Sequence, residues 1–220
     1  MRIGIGIMGK ALLIIDVQND FLPPNGSLAV NRGGEIIKPI IKLMDDEDWD
    51  SIVMTRDWHN ADHTSFAVNH GLPEFAEFTY DSPVPNSNEK QDAMLWPVHC
   101  VQGTMGSHVA DELQEILLKH PEIAVVNKGY LKDREYYSAF NDIWNDHKTE
   151  LHDLLQNDKI EEVVVVGLAL DYCVKSTAMS AAKLGYKTTI LKDYCRAIDN
   201  KPEAMQKLYE ELKRNNVKLV

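Results

Sequence analysis

The chain has 220 residues, 44% of them hydrophobic, which suits one globular domain with a packed core and excludes a disordered chain. Its formal net charge is −11 with no basic stripe to offset it, which argues against binding a nucleic-acid backbone. Three scattered cysteines, Cys100, Cys173 and Cys195, do not make a disulfide framework and point to a reducing compartment.

Residues 1–9 read as an extension ahead of a domain spanning 10–220. They carry neither a signal-peptide core nor a transit-peptide composition, and no apolar run reaches membrane-spanning length. A soluble protein of the cytoplasm or nucleus is expected, with no membrane partner; a homo-oligomer is left open. In chain order, residues 11–17 (ALLIIDV) read as a buried strand and 35–44 as a helix with apolar residues at 36, 37, 40, 41 and 43. Residues 51–55 read as the second strand. Ser107 is placed to cap a helix whose apolar stripe is Val109, Leu113, Ile116 and Leu117. Strands follow over 123–127 and 162–167, then an Ala- and Met-rich helix over 170–184 closed by Gly185. A strand over 187–191, a helix over 202–214 and a short strand over 217–220 complete the chain. Two long segments, 70–97 and 133–148, fit no short connection and are expected to lie over a functional site.

Near-continuous apolar strands alternating with helices predict a single-domain, three-layer αβα fold around a mostly parallel six-stranded sheet. In such sheets, ligands bind beyond the carboxyl ends of the strands. Asp16, Asp57, Lys128 and Cys173 all fall at or just after strand ends. Cys173 follows a strand and a tight turn and opens a helix, where unpaired amides favour thiolate and could hold an oxyanion. A small buried structural cysteine is the alternative. Asp16 is a candidate proton acceptor, and Lys128 is a cation able to stabilise both carboxylate and thiolate. An ordinary buried Asp–Lys pair explains either one taken alone. Asp57 and His59, two apart beyond a strand, could ligate a divalent metal with His99 as third ligand. That donor set suits zinc first, and iron or manganese as well. His63 and Ser65 lie near enough in sequence to contribute; the other histidines read as solvated.

The stretches LLIIDVQNDFLPPNGSLAV, VMTRDWHNADHTSFAVNH, LWPVHCVQGTMGS, VNKGYLKDREYYSAFNDIW and VVGLALDYCVKSTAMSAAKLGYKTTIL together resemble nicotinamidases, within the isochorismatase-like cysteine hydrolases. DREYYSAF and the long loops look most like the fungal enzymes. The resemblance implies a catalytic triad of Asp16, Lys128 and Cys173 and metal ligands Asp57, His59 and His99. It also implies a cis peptide at Leu168–Ala169, with the amides of Ala169 and Cys173 as oxyanion hole, and Phe21 and Trp96 as walls for a pyridine ring. The implied substrate is nicotinamide, converted to nicotinate and ammonia in NAD salvage, with pyrazinamide as a second substrate. Another amidase or vinyl-ether hydrolase of the superfamily is the first rival. A non-catalytic binder is the second, and it predicts a damaged triad.

Overall fold

The structure is a computed structural model in which residues 9–220 are described. The expected extension lies outside the described residues except for Gly9, which already opens the first strand. Six strands form one wholly parallel sheet: β1 (Gly9–Ile15), β2 (Ser51–Asp57), β5 (Ala124–Lys128), β6 (Ile160–Leu168), β7 (Lys187–Arg196) and β8 (Lys218–Leu219), in the spatial order β5-β2-β1-β6-β7-β8. A separate hairpin pairs β3 (Glu77–Asp81) with β4 (Lys90–Met94).

Pleating explains the layers. Along β1, Ala11, Leu13 and Ile15 join a core cluster that includes residues of α3 (Leu151–Asn157), α4 (Lys175–Lys183) and α5 (Pro202–Arg214). Leu12 and Ile14 point the other way, into a cluster with α1 (Ile37–Asp46) and α2 (Asp111–Lys119). β6 divides likewise, with Val163 and Val165 on one face and Val164 and Val166 on the other. Both faces are therefore dry, which is why these strands read as unbroken apolar runs. The strand order reverses between β1 and β6, so this fold's switch point opens where those two strands end. Gly167 permits the close approach there: at φ +118°, a Cβ would lie 2.2 Å from Ile15 O.

Several elements differ from the sequence expectation. The helix expected from 35 begins as a tight turn, Gly33–Ile36, before α1 proper. Ser107 does not cap α2; its hydroxyl donates to Thr104 O within a short turn, and α2 starts at Asp111. The helix expected from 170 opens as one wide π turn, Leu170–Val174, in which Val174 N–H donates to Ala169 O, and α4 follows it. β7 runs five residues beyond 191. The hairpin and α3 are additional. Among the described residues no helix is long and apolar enough to cross a membrane.

Candidate active site

The segment after β1 organises the site. Asp16 sits at φ +49°, which ends the strand and leaves its carboxylate in the opening at the switch point. Its Oδ1 accepts a 2.6 Å hydrogen bond from Thr55 Oγ1 of β2, and its Oδ2 lies 2.9 Å from Lys128 Nζ. Lys128 is fully buried and arrives from β5, two strands away. Its ammonium also donates to Asp57 Oδ1 and lies 3.4 Å from both Cys173 Sγ and Tyr136 O. Cys173 hangs in the π turn after β6, next to the cis Leu168–Ala169 peptide. A carboxylate oxygen of Asp16, one of Asp57 and the Cys173 sulfur lie within 4.8 Å of one another. The three predicted triad residues therefore converge.

So do the three predicted metal ligands. Asp57 Oδ2 lies 3.6 Å from His59 Nε2 and 3.7 Å from His99 Nε2, and all three residues are buried. Each imidazole is fixed through its other nitrogen. His59 Nδ1 meets Gly129 O at 3.0 Å and His99 Nδ1 meets Pro97 O at 2.7 Å. These contacts at Nδ1 set each ring's orientation and leave both Nε2 atoms facing Asp57 Oδ2. Three convergent donors with second-sphere partners suit a divalent cation. Gly129, at φ +75°, cannot be replaced freely: a Cβ there would stand 2.4 Å from His59 Cε1. His63, the further candidate, stands apart from this set. Its Nδ1 accepts from Ser65 N–H at 3.2 Å and faces Ser65 Oγ at 2.8 Å, and its ring centroid is 4.2 Å from that of His59.

Two residues that the sequence reading passed over position these ligands. Gln18 is buried and pairs with the Asp57 peptide on both sides, accepting from its N–H at 2.8 Å and donating to its C=O at 2.8 Å. Asp20 accepts from Cys100 N–H at 2.7 Å, which anchors the loop carrying His99. Both are polar residues in a motif already singled out, but only the fold shows what they hold.

One cavity reaches members of both groups, Cys173 of the first and Asp57 and His99 of the second. Phe21, Leu28, Asp57, Trp96, His99, Glu135, Tyr136, Tyr137, Ala169, Tyr172, Cys173 and Ile198 line it. Phe21 and Trp96 stand where the resemblance placed them. The 133–148 segment supplies Glu135, Tyr136 and Tyr137, and the end of the 70–97 segment supplies Trp96. Trp96 packs edge-on against Tyr172 with centroids 4.8 Å apart, and its Nε1 lies 3.4 Å from Tyr137 Oη. Glu135 and Tyr137 are additional wall residues whose inward direction no periodicity announces.

Electrostatics sharpen the chemistry. Burial pushes the Asp16 carboxyl up, with Lys128 opposing and Asp57 assisting. Burial also pushes the Cys173 thiol well above its usual range, with Lys128 opposing and Asp16 and Asp57 assisting. These shifts favour a thiol at Cys173 beside an Asp16 carboxyl of raised proton affinity. The sequence expectation of a thiolate favoured by a helix N-terminus is corrected, because Cys173 lies in the wide turn ahead of α4 and faces two acids. Burial would discharge Lys128, but Asp16 and Asp57 hold it protonated. Burial would likewise raise Asp57, yet Lys128 and His59 hold it well below the carboxylate range. Burial drives His63 neutral.

A family model described as the isochorismatase domain matches residues 10–219. The nicotinamidase of Saccharomyces cerevisiae is 52% identical over 215 residues, covering 96% of this chain and 99% of that protein. The crystal structure of the yeast nicotinamidase bound to the inhibitor nicotinaldehyde superposes with a TM-score of 0.93 at 50% identity, covering 96% and 99% of the two chains. The pyrazinamidase of Pyrococcus horikoshii in complex with zinc gives a TM-score of 0.71 at 30% identity, covering 96% and 98%. With that domain spanning almost its whole length on the matching parallel sheet, this chain belongs to the isochorismatase family.

Proposed function

We propose that this chain is a nicotinamidase that hydrolyses nicotinamide to nicotinate and ammonia through a thioester on Cys173, within NAD salvage, and that it also accepts pyrazinamide. The observation that carries the reading is the aromatic-walled cavity lined by Cys173, Asp57 and His99, with Asp16 and Lys128 buried directly behind Cys173 and Asp57 and with His59 beside Asp57. The likeness to a nicotinamidase and to a zinc-bound pyrazinamidase supports it.

Cys173 is the nucleophile. Asp16 takes the Sγ proton, a C–S bond forms at the carboxamide carbon, and the amides of Ala169 and Cys173 receive the oxyanion. Lys128 keeps Asp16 charged until that transfer and steadies the developing thiolate at 3.4 Å. As the C–N bond breaks, Asp16 gives its proton to the departing ammonia. Water then hydrolyses the thioester to nicotinate and restores the thiol. Phe21 and Trp96 hold the pyridine ring by apolar contact.

Asp57 Oδ2, His59 Nε2 and His99 Nε2 would hold one divalent ion, zinc first, with iron or manganese as alternatives. Such an ion supplies a Lewis-acid position for the ring nitrogen, which orients the carboxamide toward Cys173. The centre of the cavity, about 30 Å³, admits little more than a water. Tyr137 and Tyr172 are half-buried and also border an outer pocket of about 280 Å³, so admission of the ring requires that aromatic wall to part. The test is ammonia release from nicotinamide, with and without chelator. Metal-loaded protein that releases none refutes the reading.

A further inference from the structure

One buried group in the cavity has no part in the steps above. Glu135 is 3% exposed and lines the cavity together with Cys173. Its Oε1 accepts from Tyr136 N–H at 2.8 Å, whereas its Oε2 has no hydrogen-bond partner among the described residues. A buried carboxyl left half unpaired is costly, and a leucine or glutamine there would avoid the penalty. The group is also held firmly. Its own C=O accepts from Ile143 N–H at 3.0 Å, and the neighbouring Tyr136 is pinned by its hydroxyl to His147 Nδ1 at 2.7 Å. A firmly held carboxyl with one unpartnered oxygen, on a residue that lines the same small cavity as the nucleophile, is suited to orient a water.

Asp16 already serves the thiol and the leaving ammonia, with Thr55 donating to its Oδ1 and the Lys128 ammonium 2.9 Å from its Oδ2. We propose that Glu135 is the general base of the hydrolytic half-reaction, accepting on Oε2 a proton from the water that attacks the Cys173 thioester. This rests on the nicotinamidase reading. The atoms balance as follows: one water proton goes to Glu135 as the C–O bond forms, and the C–S bond then breaks with its electron pair left on Sγ beside Lys128. The second water proton, carried by the new carboxyl, passes through Asp16 to the thiolate, which leaves nicotinate. Glu135 then releases its proton to solvent, where ammonia takes it.

The test compares wild type with Glu135→Gln, a substitution that keeps the Oε1 contact and replaces only the free oxygen. Rapid-quench mixing with nicotinamide should show one equivalent of ammonia released per enzyme, followed by turnover slowed on the order of 10²–10⁴-fold. Intact-protein mass spectrometry should show the nicotinoyl adduct accumulating, and metal content should match wild type. Hydroxylamine attacks thioesters without a base and should restore turnover, releasing the hydroxamate. Glu135→Asp, which keeps a shorter carboxylate, should accumulate less adduct. Unchanged turnover, or an ammonia burst slowed as much as turnover with no adduct in either variant, overturns the inference. A wild-type protein that releases no ammonia when metal-loaded overturns the nicotinamidase reading itself, and this inference with it.

Discussion

Gly129→Ala adds one methyl group and replaces no proposed ligand, so it isolates how His59 is held. Two effects are separable. The backbone at φ +75° is left-handed, and an alanine there loses about 1–2 kcal/mol of stability. The new Cβ would also fall 2.4 Å from His59 Cε1 and 2.6 Å from Nδ1, so the ring must leave the position in which Gly129 O fixes it. Disturbing such a second-sphere partner typically weakens metal binding about 10–100-fold, or roughly 1.4–2.7 kcal/mol. Gly103→Ala is the control, since its φ is +74° and its Cβ would meet nothing within 4 Å. Urea unfolding of the metal-free proteins should show the backbone loss of about 1–2 kcal/mol in Gly103→Ala and at least that in Gly129→Ala. Calorimetric titration with zinc should show weakened binding in Gly129→Ala alone. Equal zinc affinity in the two would refute the claim that Gly129 holds His59 as a ligand.

Lys128→Met should be strongly destabilising. It leaves the Asp16 and Asp57 carboxylates, with oxygens within 4.8 Å, to repel by about 3.5 kcal/mol at an effective dielectric of about 20. Denaturant unfolding should register a loss of about 3–5 kcal/mol, and a loss under about 1 kcal/mol would show that the ammonium does not hold the pair. Cys173→Ala should abolish ammonia release while metal content, read by elemental analysis, stays at the wild-type level; retained activity would end the role given to the sulfur. Benzamide, which keeps the carboxamide but lacks the ring nitrogen, should be hydrolysed far more slowly than nicotinamide. Equal rates for the two would remove that nitrogen from recognition.

Legibility followed burial. β1 and β6 were readable because both of their faces are covered and their central runs, 11–15 and 163–166, are wholly apolar. α5 was readable to the residue because its 13 residues keep one apolar stripe and begin with a proline. The β3–β4 hairpin escaped because only Tyr80 among its ten residues is buried, so alternation left almost no trace. α3 escaped because seven residues hold too few turns for a period to register. Asp16, Asp57, Lys128 and Cys173 were legible as candidates because they are polar or reactive residues at or just after the ends of apolar strands, where a charge is costly unless used. Gln18, Asp20, Glu135 and Tyr137 were not, since polar and aromatic residues in loops are ordinary until the chain shows which way they point.

For Asp16, Lys128 and Cys173, the sequence by itself determined the residue types and their places after strands, because hydrophobic patterning sets strand ends locally. Whether they could act together was decided by the tertiary structure. Strands β1, β5 and β6 meet at one edge only because β6 crosses to the far side of β1, which brings residues 16, 128 and 173 around one buried ammonium. That meeting also bears on protonation: position in the sequence suggested a thiolate, whereas burial, with Asp16 and Asp57 close by, pushes the Cys173 thiol up against the pull of Lys128.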